Sequence, residues 1–393
     1  MIFTKTSHPL LITAAALALV VLVSAPAFAE KNKQRKISSR IRMQVYPWKK
    51  TVSVEVNGRY AFLNKEKKIT KAGYRLNGSK LTVRLNKFYL NHRYIGDDKI
   101  VLRGMRGALI FLNGAPYAQE IEFRIKKPGV FTAINCVNLE AYLKGVLAGE
   151  VLPNTSHEAL KAQAVISRTC AIYSMLNPRG ASFHVAKRFP QNYKAKESYE
   201  DTFKKALKDT EGEIVYYKGR IMPAYFCTVC GGKTDDGALV WDIDQELPRG
   251  VECPYCRKAK NYFWGYETTA GKLRRMLLKN GYKVGDLISI VPKSKNSSSR
   301  RVSKLVIKHT KGVISIDSAW LRKKLGPNNL KSTIFDVAIN GDIVRFTGRG
   351  WGHGVGLCQE GAAKMASTGK NYQEILKFYY PGSEVRKILK SKK

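Results

Sequence analysis

Near residue 139 the apolar pattern changes period, and that change limits the architectures open to the chain. From Ile41 to about Ala133, short runs such as RMQVYPW, TVSVEVNG, LTVRLN, IVLRG, ALIFLNG and EIEFRI alternate apolar and polar residues. Asn-Gly and Gly signals bound them, which predicts a β-rich region. In LEAYLKGVLAGEVL the apolar residues Leu139, Tyr142, Leu143, Val146 and Leu147 instead recur at i, i+3, i+4, i+7 and i+8. That is one stripe of an α-helix, ended by Pro153. Thr155 and Glu158 read as the capping box of a second helix running through EALKAQAVISRTCAIYSML. Strand-like runs then return (GEIVYYKGRIMPAYF, SKLVIKHT, VISID, DIVRFTG). Residues 292–304 read as a basic surface loop, and a last helix starts at Asn371. Helices and strands segregate, so the predicted class is α+β: a mainly β-rich scaffold with a small helical core.

The N-terminus carries Lys5, an apolar run from Leu10 to Val23, and Ala27-Phe28-Ala29 before Glu30. This predicts a signal peptide over 1–29 and export to the periplasm or the medium. A basic leader follows over 30–40, then a β-rich part over 41–135 and a second part over 136–390. Hydrophobic residues at 44% and charged residues at 25% exclude disordered, collagenous and multi-span membrane classes. Lys plus Arg total 69 against 30 acidic residues, a formal charge of +39, which calls for an anionic partner. Nucleic acid, anionic envelope polymer and acidic lipid all satisfy charge alone. Export argues against nucleic acid, and nothing in the sequence sets an oligomeric state.

Three features carry chemistry. Glu150 follows Leu139 by eleven positions, which returns it to the apolar stripe, while Glu140 and Lys144 fall on the wet side. A carboxyl buried without a cation is raised in pKa, as a general acid requires; a glutamate at a frayed helix end is the plainer alternative. Gly145 and Gly149 beside the stripe let another chain or a ligand approach the backbone. In GRGWGHGVGL, residues 348–357, glycine alternates with side chains. An extended conformation would set Arg349, Trp351 and His353 in a row suited to a sugar ring or a phosphate, and a glycine-rich corner is the structural alternative. Seven cysteines include the CxxC pairs Cys227/Cys230 and Cys253/Cys256, about 227–256, which form a cysteine-rich insertion. Their thiolates can close a tetrahedral structural Zn²⁺ site with no open position; two disulfides are the other reading, though no thioredoxin-like context supports redox bonds. Cys136, Cys170 and Cys358 read as small core residues.

On these residues the chain resembles the SpoIID/LytB family of exported peptidoglycan-cleaving proteins. NLEAYLKGVLAGEV with HEALKAQAVISRTCAI resembles its leading signature, and STIFDV with GRGWGHGVGLCQEGA its closing one. YYPGSEV resembles its C-terminal ending. The resemblance implies that 136–390 is the catalytic part and that peptidoglycan glycan strands are the substrate. It implies cleavage between N-acetylmuramic acid and N-acetylglucosamine, with Glu150 as catalytic residue. It extends substrate-lining roles to Gln163, Arg168, Gln191, Tyr193, Arg349, Trp351, His353 and Gln359. A lytic transglycosylase needs one carboxylate, whereas a hydrolytic muramidase usually needs two. Asp235, Asp236, Asp242, Asp244 and Glu360 are the only second carboxylates to consider. A non-catalytic wall-binding or enhancer protein is the rival class. The family's metal ligands often include histidine; this chain offers four cysteines instead.

Overall fold

The computed structural model describes residues 38–178, 180–186, 191–241, 246–296 and 299–388. The signal peptide and most of the basic leader fall outside that range, as do Asp242 and Asp244. Strand outweighs helix, in keeping with an α+β chain.

Two sheets build the first core. A seven-stranded sheet runs in the order Val185–Ala186, Arg40–Lys49, Val130–Asn138, Glu120–Lys127, Lys99–Gly104, Tyr60–Leu63, Ile69–Gly73. A six-stranded sheet places Thr51–Val56 and Leu76–Arg84 at its centre. Period-two patterning explains the packing: Ile41, Met43 and Val45 on Arg40–Lys49 point inward and the residues between them do not. Val130–Asn138 is buried over nearly its whole length, as expected of a strand covered on both faces.

That covered strand runs directly into the first helix. The helices are α1 (Leu139–Glu150), α2 (His157–Leu176), α3 (Asp201–Asp209), α4 (Gly237–Trp241), α5 (Ala270–Lys279), α6 (Ser318–Leu325), α7 (Gln359–Ser367) and α8 (Tyr372–Tyr379). The Asn138 side chain accepts the Glu140 N–H at 3.0 Å and starts α1 one residue after the strand. Tyr142, Leu143, Val146 and Leu147 of the expected stripe are buried, with Leu139 packed at its edge. The capping box foreseen at Thr155 and Glu158 does not form: Ser156 is the N-cap of α2. Glu158 turns instead to Lys161 at 2.5 Å and to the Tyr372 N–H at 2.8 Å, which ties α2 to the start of α8. The box at the last helix does form, with Asn371 and Glu374 exchanging hydrogen bonds.

A second core gathers α2, α7, α8 and five cysteines, Cys227, Cys230, Cys253, Cys256 and Cys358. A third, spanning Trp264 to Phe346, is formed by two three-stranded sheets with α5 and α6. Here the expected basic loop at 292–304 is largely strand: Leu287–Asn296 pairs antiparallel with Arg301–His309. Its charge pattern hid the pairing because the outward lysines dominate the composition, while Arg301 itself is buried.

Candidate active site

Glu150 is the last residue of α1 and is partly buried. Its Oε1 accepts the Asn192 N–H at 2.5 Å. Burial raises its carboxyl above the ordinary glutamate value, and the Asn192 hydrogen bonds offset part of that rise. Asn192 reaches this position because α1 presents glycine there. A Cβ at Gly149 would sit 2.6 Å from the Asn192 carbonyl oxygen, and one at Gly145 would sit 2.4 Å from the Tyr193 ring. The Lys194 N–H donates to the Gly145 carbonyl at 2.9 Å, and Tyr193 stacks on Tyr142 at 5.4 Å between ring centroids. The close approach foreseen at these glycines is therefore made by residues 192–194.

From the other side, Gln359 at the start of α7 donates from Nε2 to the Glu150 carbonyl at 3.2 Å and to Gln163 Oε1 at 3.3 Å. Gln163 Nε2 donates to Ser167 Oγ, and Gln191 Nε2 to the Ser167 carbonyl, both at 3.1 Å. Glu150, Gln163, Gln191 and Gln359 thus form one connected network around the end of α1. Gln163 and Gln191 are each 1% exposed, so they support the site from behind.

Arg168 does not line a groove, contrary to the expectation. It is 1% exposed, and its guanidinium grips both oxygens of Glu140 at 2.9 and 3.1 Å. It also donates to the carbonyls of Thr210 and Glu213 at 2.8 and 3.2 Å. Glu140, expected on the wet face, keeps 39% of its side chain exposed there while also serving as the partner of a buried arginine.

The closing motif also departs from its extended reading. Gly350 and Gly354 have φ of +81° and +74°, a region closed to strand residues, so the chain leaves the sheet after Arg349 and loops. A Cβ at Gly354 would lie 1.8 Å from Arg301 Nη2. The three side chains consequently part company. Arg349 opens onto a cleft of 610 Å³ lined by Phe263, Trp264, Ile334 and Phe335. Trp351 lies under Lys331 at 5.2 Å, and His353 packs against Trp241 at 5.2 Å and Tyr225 at 6.2 Å. Burial, with Arg301 and Arg322 nearby, pushes the His353 imidazole down to about 3, and its Nδ1 accepts the Val355 N–H at 3.1 Å. Both effects favour the neutral imidazole.

Asp235 is 3% exposed and paired with Arg301 at 2.9 Å, and Asp236 accepts the Ala238 N–H at 2.8 Å at the start of α4. Glu360 is exposed. Asp235 is thus committed to Arg301, and Asp236 has one oxygen engaged at the start of α4.

The thiol cluster differs from the spacing-based set. The four sulfurs within 4.8 Å of one another are those of Cys230, Cys253, Cys256 and Cys358, all buried. The place expected for Cys227 is taken by Cys358, its partner in a parallel pair of short strands, whose sulfur lies with the other three. All seven cysteines are free thiols, so the two-disulfide alternative is not what the structure holds. Tetrathiolate zinc has sulfur–sulfur edges of about 3.8 Å, and Cys230 and Cys256 already stand 3.5 Å apart. The donor set fits a soft divalent cation.

A family model described as Stage II sporulation protein, SpoIID, matches residues 127–217, which contain α1, α2 and the Gln191–Tyr193 segment. An uncharacterised protein of Brachyspira hyodysenteriae is 33% identical over 91% of this chain and 94% of its own length. Stage II sporulation protein D of Bacillus subtilis is 30% identical over 64% of this chain and 76% of its own length. The chain belongs to the SpoIID family. A Bacillus subtilis protein named amidase enhancer is 27% identical over 61% of this SpoIID chain and 40% of its own length. A domain of unknown function, DUF8618, matches 254–356, which contains the third core.

In this SpoIID protein the glycine face of α1 makes a testable demand. Gly149→Ala should push residues 192–194 off the helix, costing about 1–3 kcal/mol of stability and removing the Asn192 donor from Glu150. Thermal melting, together with the pH dependence of turnover, would report both losses.

Sequence reasoning missed Asn192, Glu140, Arg301 and Cys358. Only Gly149 signalled any of them, by marking where something must approach.

Proposed function

We propose that this SpoIID protein cleaves peptidoglycan glycan strands between N-acetylmuramic acid and N-acetylglucosamine as a lytic transglycosylase. Family membership, and relatives named for sporulation and for enhancing an amidase, support a role at the cell wall. The observation that carries the reading is Glu150: a carboxyl raised by burial, with one oxygen fixed by Asn192, at the junction of α1, α7 and the 192–194 segment.

The protonated Glu150 carboxyl donates to the glycosidic oxygen as the bond from muramic C1 to that oxygen breaks. The resulting carboxylate takes the proton of the muramic C6 hydroxyl, whose oxygen closes on C1. A 1,6-anhydro end forms, the proton returns to Glu150, and no water is consumed. One carboxylate suffices, which agrees with the commitments of Asp235 and Asp236 elsewhere. The thiol tetrad would bind Zn²⁺ with all four positions filled by sulfur, a role in structure and not in bond cleavage. Export rests on the signal-peptide reading, and the charge of +39 suits an anionic envelope.

Digestion of purified peptidoglycan followed by mass spectrometry tests the reading. Anhydro-muramic ends are expected. Reducing ends would replace it with hydrolysis, and intact strands would replace it with a binding or enhancer protein.

A further inference from the structure

Cys358 occupies two structures at once. Its sulfur belongs to the thiol tetrad, and its residue is the N-cap of α7, whose first residue is Gln359. Two backbone donors converge on that sulfur: the Cys230 N–H at 3.3 Å and the Gly361 N–H at 3.4 Å. These two donors fix the sulfur at the first turn of α7. Gly361 has the second contact of interest, since a Cβ there would lie 2.9 Å from Cys253 Sγ. The first turn of α7 is thus fitted against the cluster. One residue beyond Cys358, Gln359 reaches the Glu150 carbonyl and Gln163.

We propose that Cys230, Cys253, Cys256 and Cys358 bind one soft divalent cation of the zinc class, and that the bound ion, acting through Cys358, holds Gln359 against the end of α1. Metal occupancy thereby sets the position of Glu150. Gln359 is a positioning residue in this arrangement. The ligand set stands on the thiol geometry alone, while the consequence for turnover rests on the function proposed above.

The ligand set is tested with the full chain purified without oxygen and loaded with Co²⁺. Wild type should take one cobalt per chain with an intense thiolate-to-cobalt absorption. Cys358→Ser keeps a capping hydroxyl for α7, yet should lose about a quarter of that absorption, one thiolate of four, and bind cobalt about 10–100-fold more weakly. Cys227→Ser should retain both. The reverse pattern, or no cobalt binding by folded wild type, overturns the site.

The positioning claim is tested by amide hydrogen exchange and by turnover. Stripping the metal under reducing conditions should speed exchange at the last amides of α1 and lower kcat on peptidoglycan about tenfold or more, with recovery on adding Zn²⁺. Gln359→Ala should show the same faster exchange and lower kcat with its cobalt spectrum intact. Stripping should then add little further loss, because both changes break one chain of contacts. A full additional loss would mean that the metal acts through the fold at large, and the positioning claim would fall. If wild type cleaves no glycan, the function fails, while the cobalt and exchange measurements still decide the site and its coupling.

Discussion

Glu150→Gln is expected to lower glycan release by about 10²–10⁴-fold, the range for removing a general acid, and to raise thermal stability at neutral to alkaline pH. The two changes have opposite signs because they share one cause. Burial at the end of α1 raises the Glu150 carboxyl, so the folded chain holds this proton more tightly than the unfolded chain does. Its contribution to stability is then greatest below the ordinary glutamate range and is lost as pH rises through the raised folded value. A neutral glutamine escapes that loss. The gain in melting temperature should therefore appear above the window and vanish below it. The alkaline limb of the wild-type rate profile should likewise sit above the ordinary glutamate range, since the acid must carry its proton to work. A glutamate that merely held the helix end would give a different result: Glu150→Gln would lower the melting temperature and leave the rate profile unmoved.

What the sequence discloses about this site follows the range of the interactions involved. The stripe on α1 is legible because period and burial are set within four residues, and Glu150 inherits its place from that register. Gly145 and Gly149 disclose that something approaches, since a Cβ there has no room, but not that Asn192 is the donor. The alternation in residues 348–357 is identical to that of a strand until positive φ at Gly350 and Gly354 is seen; Gly350 is pressed on the backbone of residues 229–231, and Gly354 on Arg301, brought in from the third core. Arg301 is one cation among many in a basic stretch, and its burial depends on Asp235, far away along the chain. The thiol site fails in the same way. Spacing detects CxxC pairs, whereas the fourth sulfur comes from the closing motif through a two-residue parallel pairing that no local pattern announces. Local periodicity was thus sufficient for α1 and α2 and for the early strands but not for the strand pair at 287–309, and long-range pairing decided which side chains meet.

Arg168→Met is expected to destabilise the fold by about 1–3 kcal/mol, the cost of taking a donor from buried backbone carbonyls, because Glu140 is 39% exposed and is solvated when its partner is lost. The guanidinium is nearly inaccessible and makes a forked pair with Glu140 while donating to backbone carbonyls after α3. Methionine fills much of the volume but donates to neither carbonyl; the Thr210 carbonyl keeps the Glu213 N–H at 3.0 Å, so the loss falls mainly on the Glu213 carbonyl. Arg168→Lys separates this role from substrate binding. Lysine keeps the charge and cannot reproduce the planar fork, so stability should fall by less than in Arg168→Met while KM for glycan, measured well below the melting transition, stays at the wild-type value. A glycan-contacting arginine would reverse that pattern, raising KM with little change in melting. Because Arg168 joins α1, α2 and the segment after α3, its loss should also loosen the base on which Glu150 stands. The residual activity of Arg168→Met should therefore decline with temperature along its melting curve and not ahead of it.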